Sequence, residues 1–202
     1  ITEELIQVMK EEPKICHYLD IPIQHASDNI LKRMNRKTNR AELTERIAKL
    51  RQEIPDIALR TSLIAGFPGE TESDHEELME FIDEVEFTRL GVFTYSPENG
   101  TKAAEMDDQI PDEVKKERRD RLMELQQEIS SDLSQEQIGK VLTVMIEGKV
   151  ADENAYVGRT YMDAPNVDGY IFVNTDEELM SGDFCRVKVT GALEYDLIGE
   201  LV

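Results

Sequence analysis

The sequence predicts an α/β chain in two parts. Residues 1–137 read as a parallel sheet with crossover helices, and residues 138–202 as a small antiparallel β-barrel of the oligonucleotide-binding type. Three observations predict this. Helical periodicity alternates with short apolar runs up to about residue 138. That periodicity stops after Gly139. Short strand-like runs then follow closely, separated by turn residues.

In the first part, His17–Ile23, Ala58–Gly66 and Arg89–Tyr95 are the strand candidates. Between them, Leu43, Ile47, Leu50 and Ile54 mark one amphipathic helix, and Leu78, Phe81, Ile82 and Val85 a second. Val114, Leu122, Leu125, Ile129 and Leu133 lie on a longer third. Pro111, Asp112 and Glu113 open it, because proline and acids suit a first turn. Three strands are too few to close a barrel, so either the sheet is open or the chain lacks the rest of it.

In the second part the runs are Val141–Ile146, Ala155–Thr160, Tyr170–Val173, Phe184–Thr190 and Tyr195–Leu201. Asp152–Asn154, Asn166–Gly169 and Ser181–Asp183 supply turns. Cys185, Val187 and Val189 alternate with Arg186 and Lys188, which predicts a strand with one buried face.

Composition narrows the class. The chain has 202 residues, 40% hydrophobic and 33% charged, which excludes collagen-like, disulfide-scaffold and wholly disordered proteins. No apolar run is long enough to cross a bilayer, no leader pattern is present, and a cytoplasmic protein is expected. The first residue is Ile1 rather than Met, so a piece of a longer chain is expected. The 43 acids outweigh the 23 bases, giving a net charge of -20. Such a field repels nucleic acid and attracts basic proteins, though an acidic surface also serves solubility alone. Cys16 and Cys185 stand far apart and form neither a metal knuckle nor a redox pair, so no metal site is predicted.

Four motifs stand out. Gly66-Phe67-Pro68-Gly69-Glu70-Thr71 joins an apolar strand to a helix. Its glycines allow a tight turn and close approach to a ligand, and Thr71 or Ser73 can cap the helix. An ordinary strand-to-helix turn has the same residues, and no phosphate-loop Gly-Lys-Ser/Thr follows. Pro22-Ile23-Gln24-His25-Ala26-Ser27 puts hydrogen-bonding side chains at a strand's carboxyl end, where α/β proteins build their sites. His25 alone there reads as a structural hydrogen-bonder more readily than as a base. Lys32 to Arg40 holds five bases and no acid, but no aromatic interleaves them, so a solvated helix end outweighs nucleic-acid binding. The acids from Glu72 to Glu86, Asp74 among them, read as a solvated helix face.

Together the motifs are far more specific. Tyr18–Ser27, Leu59–Thr71 and Phe93–Thr101 resemble the fourth, fifth and sixth strand segments of the radical S-adenosylmethionine methylthiotransferases, and the tail resembles their TRAM module. The resemblance covers essentially the whole chain and implies a half barrel of parallel β/α units followed by the TRAM barrel. One branch of the family modifies an adenosine of transfer RNA; another modifies an aspartate of small-subunit ribosomal protein twelve. The transfer-RNA branch usually has Gln-Ser-Gly-Ser where this chain has Gln24-His25-Ala26-Ser27. Gly158–Gly169 and Glu194–Gly199 are similar to the ribosomal-protein branch, which commonly carries Trp at the Ile198 position. Charge points the same way: residues 138–202 hold twelve acids and five bases, suited to a basic protein rather than to RNA.

The resemblance implies an enzyme using S-adenosylmethionine and two four-iron–four-sulfur clusters to methylthiolate the aspartate β-carbon. The family's Cys-x-x-x-Cys-x-x-Cys is absent here, so this chain is expected to be the carboxyl-terminal half and inactive alone. By position, Gln24, Ser27, Arg60, Ser62, Gly66, Phe67, Gly69 and Tyr95 are the expected cofactor contacts. Arg60 suits a carboxylate. No catalytic residue is assigned. Asp163 and Asp168, with other turn acids including Asp152, are expected to meet the basic protein. The alternatives are a transfer-RNA adenosine methylthiotransferase and a non-catalytic acidic binding module.

Overall fold

The computed structural model describes residues 1–151 and 153–202; Asp152, one of the expected turn acids, lies outside the described residues. The chain forms two compact units, residues 1–11 with 19–126, and residues 12–18 with 127–202.

In the first unit, α1 (Glu3–Glu11), β1 (Tyr18–Asp20), α2 (Asp28–Arg33), α3 (Arg40–Glu53), β2 (Ala58–Ala65), α4 (Glu72–Val85) and β3 (Arg89–Thr94) follow in order. A 3₁₀ turn at Lys102–Glu105 and α5 (Asp112–Gln135) come next, the last residues of α5, from 127, belonging to the second unit. The sheet order is β1-β2-β3, and β2 and β3 are parallel with Arg60 beside Arg89 and Ala65 beside Thr94. The first strand is shorter than its apolar pattern predicts. Pro22 lacks an N–H for the ladder, and Gln24 turns into left-handed backbone at φ 72°.

Period-two alternation divides β2. Thr61, Leu63 and Ala65 are buried, while Arg60, Ser62 and Ile64 occupy the other face and are only partly covered. The register sets Ser62 beside Gly91 and Ile64 beside Phe93, which is 61% exposed. Leu78, Phe81, Ile82 and Leu122 are fully buried, as the helical spacing predicts. Thr71, not Ser73, caps α4: its Oγ1 accepts from Asp74 N while Asp74 accepts from Thr71 N.

In the second unit, β4 (Val141–Lys149), β5 (Ala155–Arg159), β6 (Ile171–Asn174), β7 (Phe184–Ala192) and β8 (Leu197–Leu201) close into a barrel of order β4-β5-β6-β8-β7. Val144, Ile146, Ile171, Val173, Val187 and Val189 fill it, all fully buried. The barrel is not wholly antiparallel, since β6 and β8 pair in parallel. Five strands closed into a ring cannot alternate direction all the way round, so one pair must run parallel. Register shifts at Gly148 and Gly191 bend β4 and β7, as closure of a small barrel requires.

Candidate functional site

The carboxyl ends of β1 and β2 and the loop after β3 border a cleft of about 350 Å³. Met34, Ile64, Phe67 and Met106 give it an apolar wall; Gln24, Asn35, Arg36 and Lys102 give it a polar rim. Gln24 N donates to Ser62 O at 3.0 Å and Gln24 O accepts from Ile64 N at 2.9 Å. Those bonds hold Gln24 at a positive φ that costs a non-glycine residue roughly 1–2 kcal/mol. Phe67 packs edge-on against Tyr95 with ring centroids 5.2 Å apart, and the buried Tyr95 hydroxyl has no partner among the described residues.

Two buried carboxylates fasten the loops behind this cleft. Glu70 Oε2 accepts from Gly66 N at 2.8 Å and Phe67 N at 3.3 Å, and its Oε1 accepts from Arg118 at 3.0 Å. His25 Nδ1 accepts from Ser27 N, so in the neutral ring the proton sits on Nε2, 3.5 Å from Glu70 Oε2. Asp74 accepts from Ser27 Oγ at 2.5 Å, from Asn29 and from Thr71. Burial pushes the Asp74 carboxyl up, but the hydrogen bonds from Ser27, Thr71 and Asn29 outweigh it and hold it below its usual value. Arg33 completes the frame. It donates to Pro68 O at 2.8 Å and to both Asp108 carboxylate oxygens, while Asp108 O accepts from Gly69 N.

His75 lies in the same helix, fully buried, with neither ring nitrogen partnered among the described residues. Burial and then the Arg121 charge push its pKa from 6.5 down to about 4, against Glu70 and Glu72. The unfolded chain therefore binds more protons than the folded one between those values, so stability rises with pH there. Acidification through this window is expected to remove up to about 1.4 kcal/mol per pH unit. His75→Leu abolishes that contribution. Urea unfolding of both proteins at about pH 4.5 and about pH 7.5 checks it: the variant should gain on the parent in acid, and an equal pH response contradicts it.

The radical SAM superfamily profile matches residues 1–82, and the TRAM domain profile matches residues 138–202. A ribosomal protein uS12 methylthiotransferase RimO from Lachnoclostridium phytofermentans is 64% identical over 199 residues, covering 98% of this chain and 45% of that protein. The RimO proteins of Desulfitobacterium hafniense and Pelotomaculum thermopropionicum are each 51% identical over the whole chain, which spans 45% and 46% of them. The chain belongs to the RimO family of radical S-adenosylmethionine methylthiotransferases. It spans about 45% of the length of the curated relatives it matches.

Against this RimO-family frame, the expected cofactor contacts separate. Gln24 and Phe67 line the cleft, and Tyr95 backs Phe67. Arg60 and Ser62 share the open face of β2 with Ile64, and Arg60 is held by Asp20 at 2.6 Å. Ser27 is corrected: it is 1% exposed and bonded to Asp74, so it fastens a loop rather than meeting a ligand. Gly66 and Gly69 are not among the residues that line the cleft. A Cβ on Gly66 would meet the Lys115 side chain, and one on Gly69 would meet Arg33 and Asp108. Each glycine, at φ +74° and +81°, admits the chain's own neighbours. Asp163 is only 6% exposed and accepts from Thr160 Oγ1 at 2.7 Å, so it shapes the loop after β5 rather than offering a free charge. Asp168 is half-buried and accepts from Ala164 N at 2.8 Å. Asp74, read as solvated surface, is buried instead. Sequence reasoning missed Glu70, Asp74 and Arg118 as the residues that hold the site.

The apolar wall and polar rim fit a ligand with a flat ring and a charged end, as S-adenosylmethionine has. The cysteines do not fit an iron–sulfur cluster. Cys16 is exposed, Cys185 is half-buried, and among the described residues no three His, Cys, Asp or Glu side chains group to hold a metal.

Proposed function

We propose that this chain is part of a methylthiotransferase that acts on an aspartate of ribosomal protein uS12, with the cleft holding S-adenosylmethionine. The observation that carries the reading is 64% identity to a uS12 methylthiotransferase across 98% of the chain. The bound cofactor supplies the radical and methyl-transfer chemistry. The chain supplies position: Ile64, Phe67, Met34 and Met106 exclude water from a ring, and Gln24 offers a carboxamide at the strand end. Arg60 and Ser62 extend that surface down β2. In this reading the radical SAM part is residues 1–137 and the TRAM part is residues 138–202; the clusters are held by residues outside the chain. A ribosomal substrate places the enzyme in the cytoplasm.

The TRAM part is assigned to docking the basic substrate. With Asp163 turned inward, the exposed turn acids Glu177 and Glu178 carry the role. Each contributes about 1 kcal/mol or less, chiefly to association rate. RNA is the second reading, favoured by Phe184, 72% exposed on β7 with Arg186 and Lys188 also outward. Surface binding of the chain to uS12 and to a structured RNA at two salt concentrations tests both. Tighter uS12 binding, slowed in a Glu177→Gln/Glu178→Gln variant, is expected. Tighter RNA binding, or an unslowed variant, overturns the docking role.

A further inference from the structure

The rim of the cleft carries cations that the frame around it does not use. Arg33 is neutralised by Asp108 at 2.6 Å; its Nε donates to Pro68 O and its Nη2 also meets Met106 Sδ. Arg36 differs. Among the described residues its guanidinium meets only Pro22 O, at 3.4 Å, and no carboxylate. Lys102, across the cleft on the 3₁₀ turn, likewise has no carboxylate partner among the described residues. Two cations without a carboxylate partner therefore face the same cleft, free to meet an anionic group of a ligand.

The backbone around them is strained in the same place. Gln24 at φ 72° and Asn35 at φ 57° are two of the four non-glycine residues at positive φ among the described residues, and both line this cleft. Asparagine tolerates that conformation through its short polar side chain; glutamine does not share the advantage. Strain that the neighbouring strand holds in place, at a cleft, points to a side chain kept there for a ligand.

We propose that Arg36 and Lys102 form a carboxylate-binding pair at the cleft mouth, with Gln24 donating its carboxamide N–H to the same ligand. A guanidinium grips a carboxylate with two parallel donors and an ammonium adds a point charge. The carboxylate belongs either to an acidic side chain of the substrate polypeptide or to the amino-acid end of the cofactor. The inference rests on the cleft's being the reaction site and names its specificity residues.

The test titrates the 202-residue chain with N-acetyl-aspartate methylamide, N-acetyl-asparagine methylamide and S-adenosylhomocysteine, followed by amide and side-chain NMR shifts. The pair predicts saturable shifts at Gln24, Asn35, Arg36 and Lys102 with a carboxylate ligand and none with the asparagine compound. Raising salt from about 50 mM to about 300 mM weakens the binding severalfold. Arg36→Gln/Lys102→Gln lowers carboxylate affinity about tenfold, and Arg36→Lys restores part of it. If the aspartate compound loses affinity in the double variant, the source is the side chain; if S-adenosylhomocysteine does, the source is the cofactor.

Gln24→Gly separates ligand recognition from structure. It relieves the backbone, so thermal stability holds or rises while carboxylate affinity falls about threefold. Affinities for both the aspartate compound and S-adenosylhomocysteine unchanged in the double variant, or no saturable shift with any carboxylate, overturns the pair. Retained S-adenosylhomocysteine binding without carboxylate selectivity leaves the reading of the cleft standing. Aspartate-selective binding with no S-adenosylhomocysteine binding does the reverse.

Discussion

Glu70→Ala is expected to destabilise the sheet unit by about 3–5 kcal/mol, the cost of breaking a buried ion pair from one side. Arg118, 6% exposed, keeps only the longer Glu72 carboxylate contact at 3.4 Å, and the N–H groups of Gly66 and Phe67 lose their acceptor. His25 loses the carboxylate facing its Nε2. Glu70→Gln keeps an acceptor for the loop but not the charge, so it falls between parent and Ala. In Glu70→Ala/Arg118→Leu the stranded cation is gone, and part of the stability returns. Urea unfolding followed by circular dichroism reads all four proteins. A Glu70→Ala loss under about 1 kcal/mol contradicts the assignment of Glu70 as the loop's fastener.

Gly199→Ala is expected to cost the barrel about 2–3 kcal/mol. A Cβ there would overlap the Val187 side chain and stand 2.8 Å from Lys188 O. Backbone cannot swing aside as a flexible side chain does, so β7 and β8 must separate locally. Gly182 is the control: nothing lies within 4 Å of its added Cβ, although its φ of +95° strains any side chain. The Gly182→Ala loss therefore reports strain alone, and Gly199→Ala should exceed it in a barrel-specific unfolding transition. Equal losses contradict the close-packing explanation.

Much of this architecture was legible because it rests on local period. The helices around Leu43–Ile54 and Leu78–Val85, and the alternation through Cys185–Val189, declare their buried faces directly. The loop ends were legible too: Gln24 and Phe67 stand where strand ends place ligand contacts. The fasteners were not. Glu70 and Asp74 look like ordinary acids beside a helix start, which the helix dipole favours on any solvated surface. Their burial comes from Ser27 and Arg118, each nearly fifty positions away, which no short window reveals. At Gly66 and Gly69 a close approach was readable, but not that the side chains of Lys115 and Arg33 stand where a Cβ would be. Asp163 followed turn composition outward, whereas Thr160 turns it in.

On the proposed function, the protein containing this chain modifies uS12. The longer protein, with its clusters reconstituted anaerobically, is incubated with S-adenosylmethionine, a reductant, a sulfur source and either uS12 or transfer RNA. Mass spectrometry of the digested products then reads the transfer. The expected result is one methylthio group on an aspartate of uS12 and none on the nucleosides. A methylthiolated adenosine with unmodified uS12 would contradict it and move the chain's function to RNA.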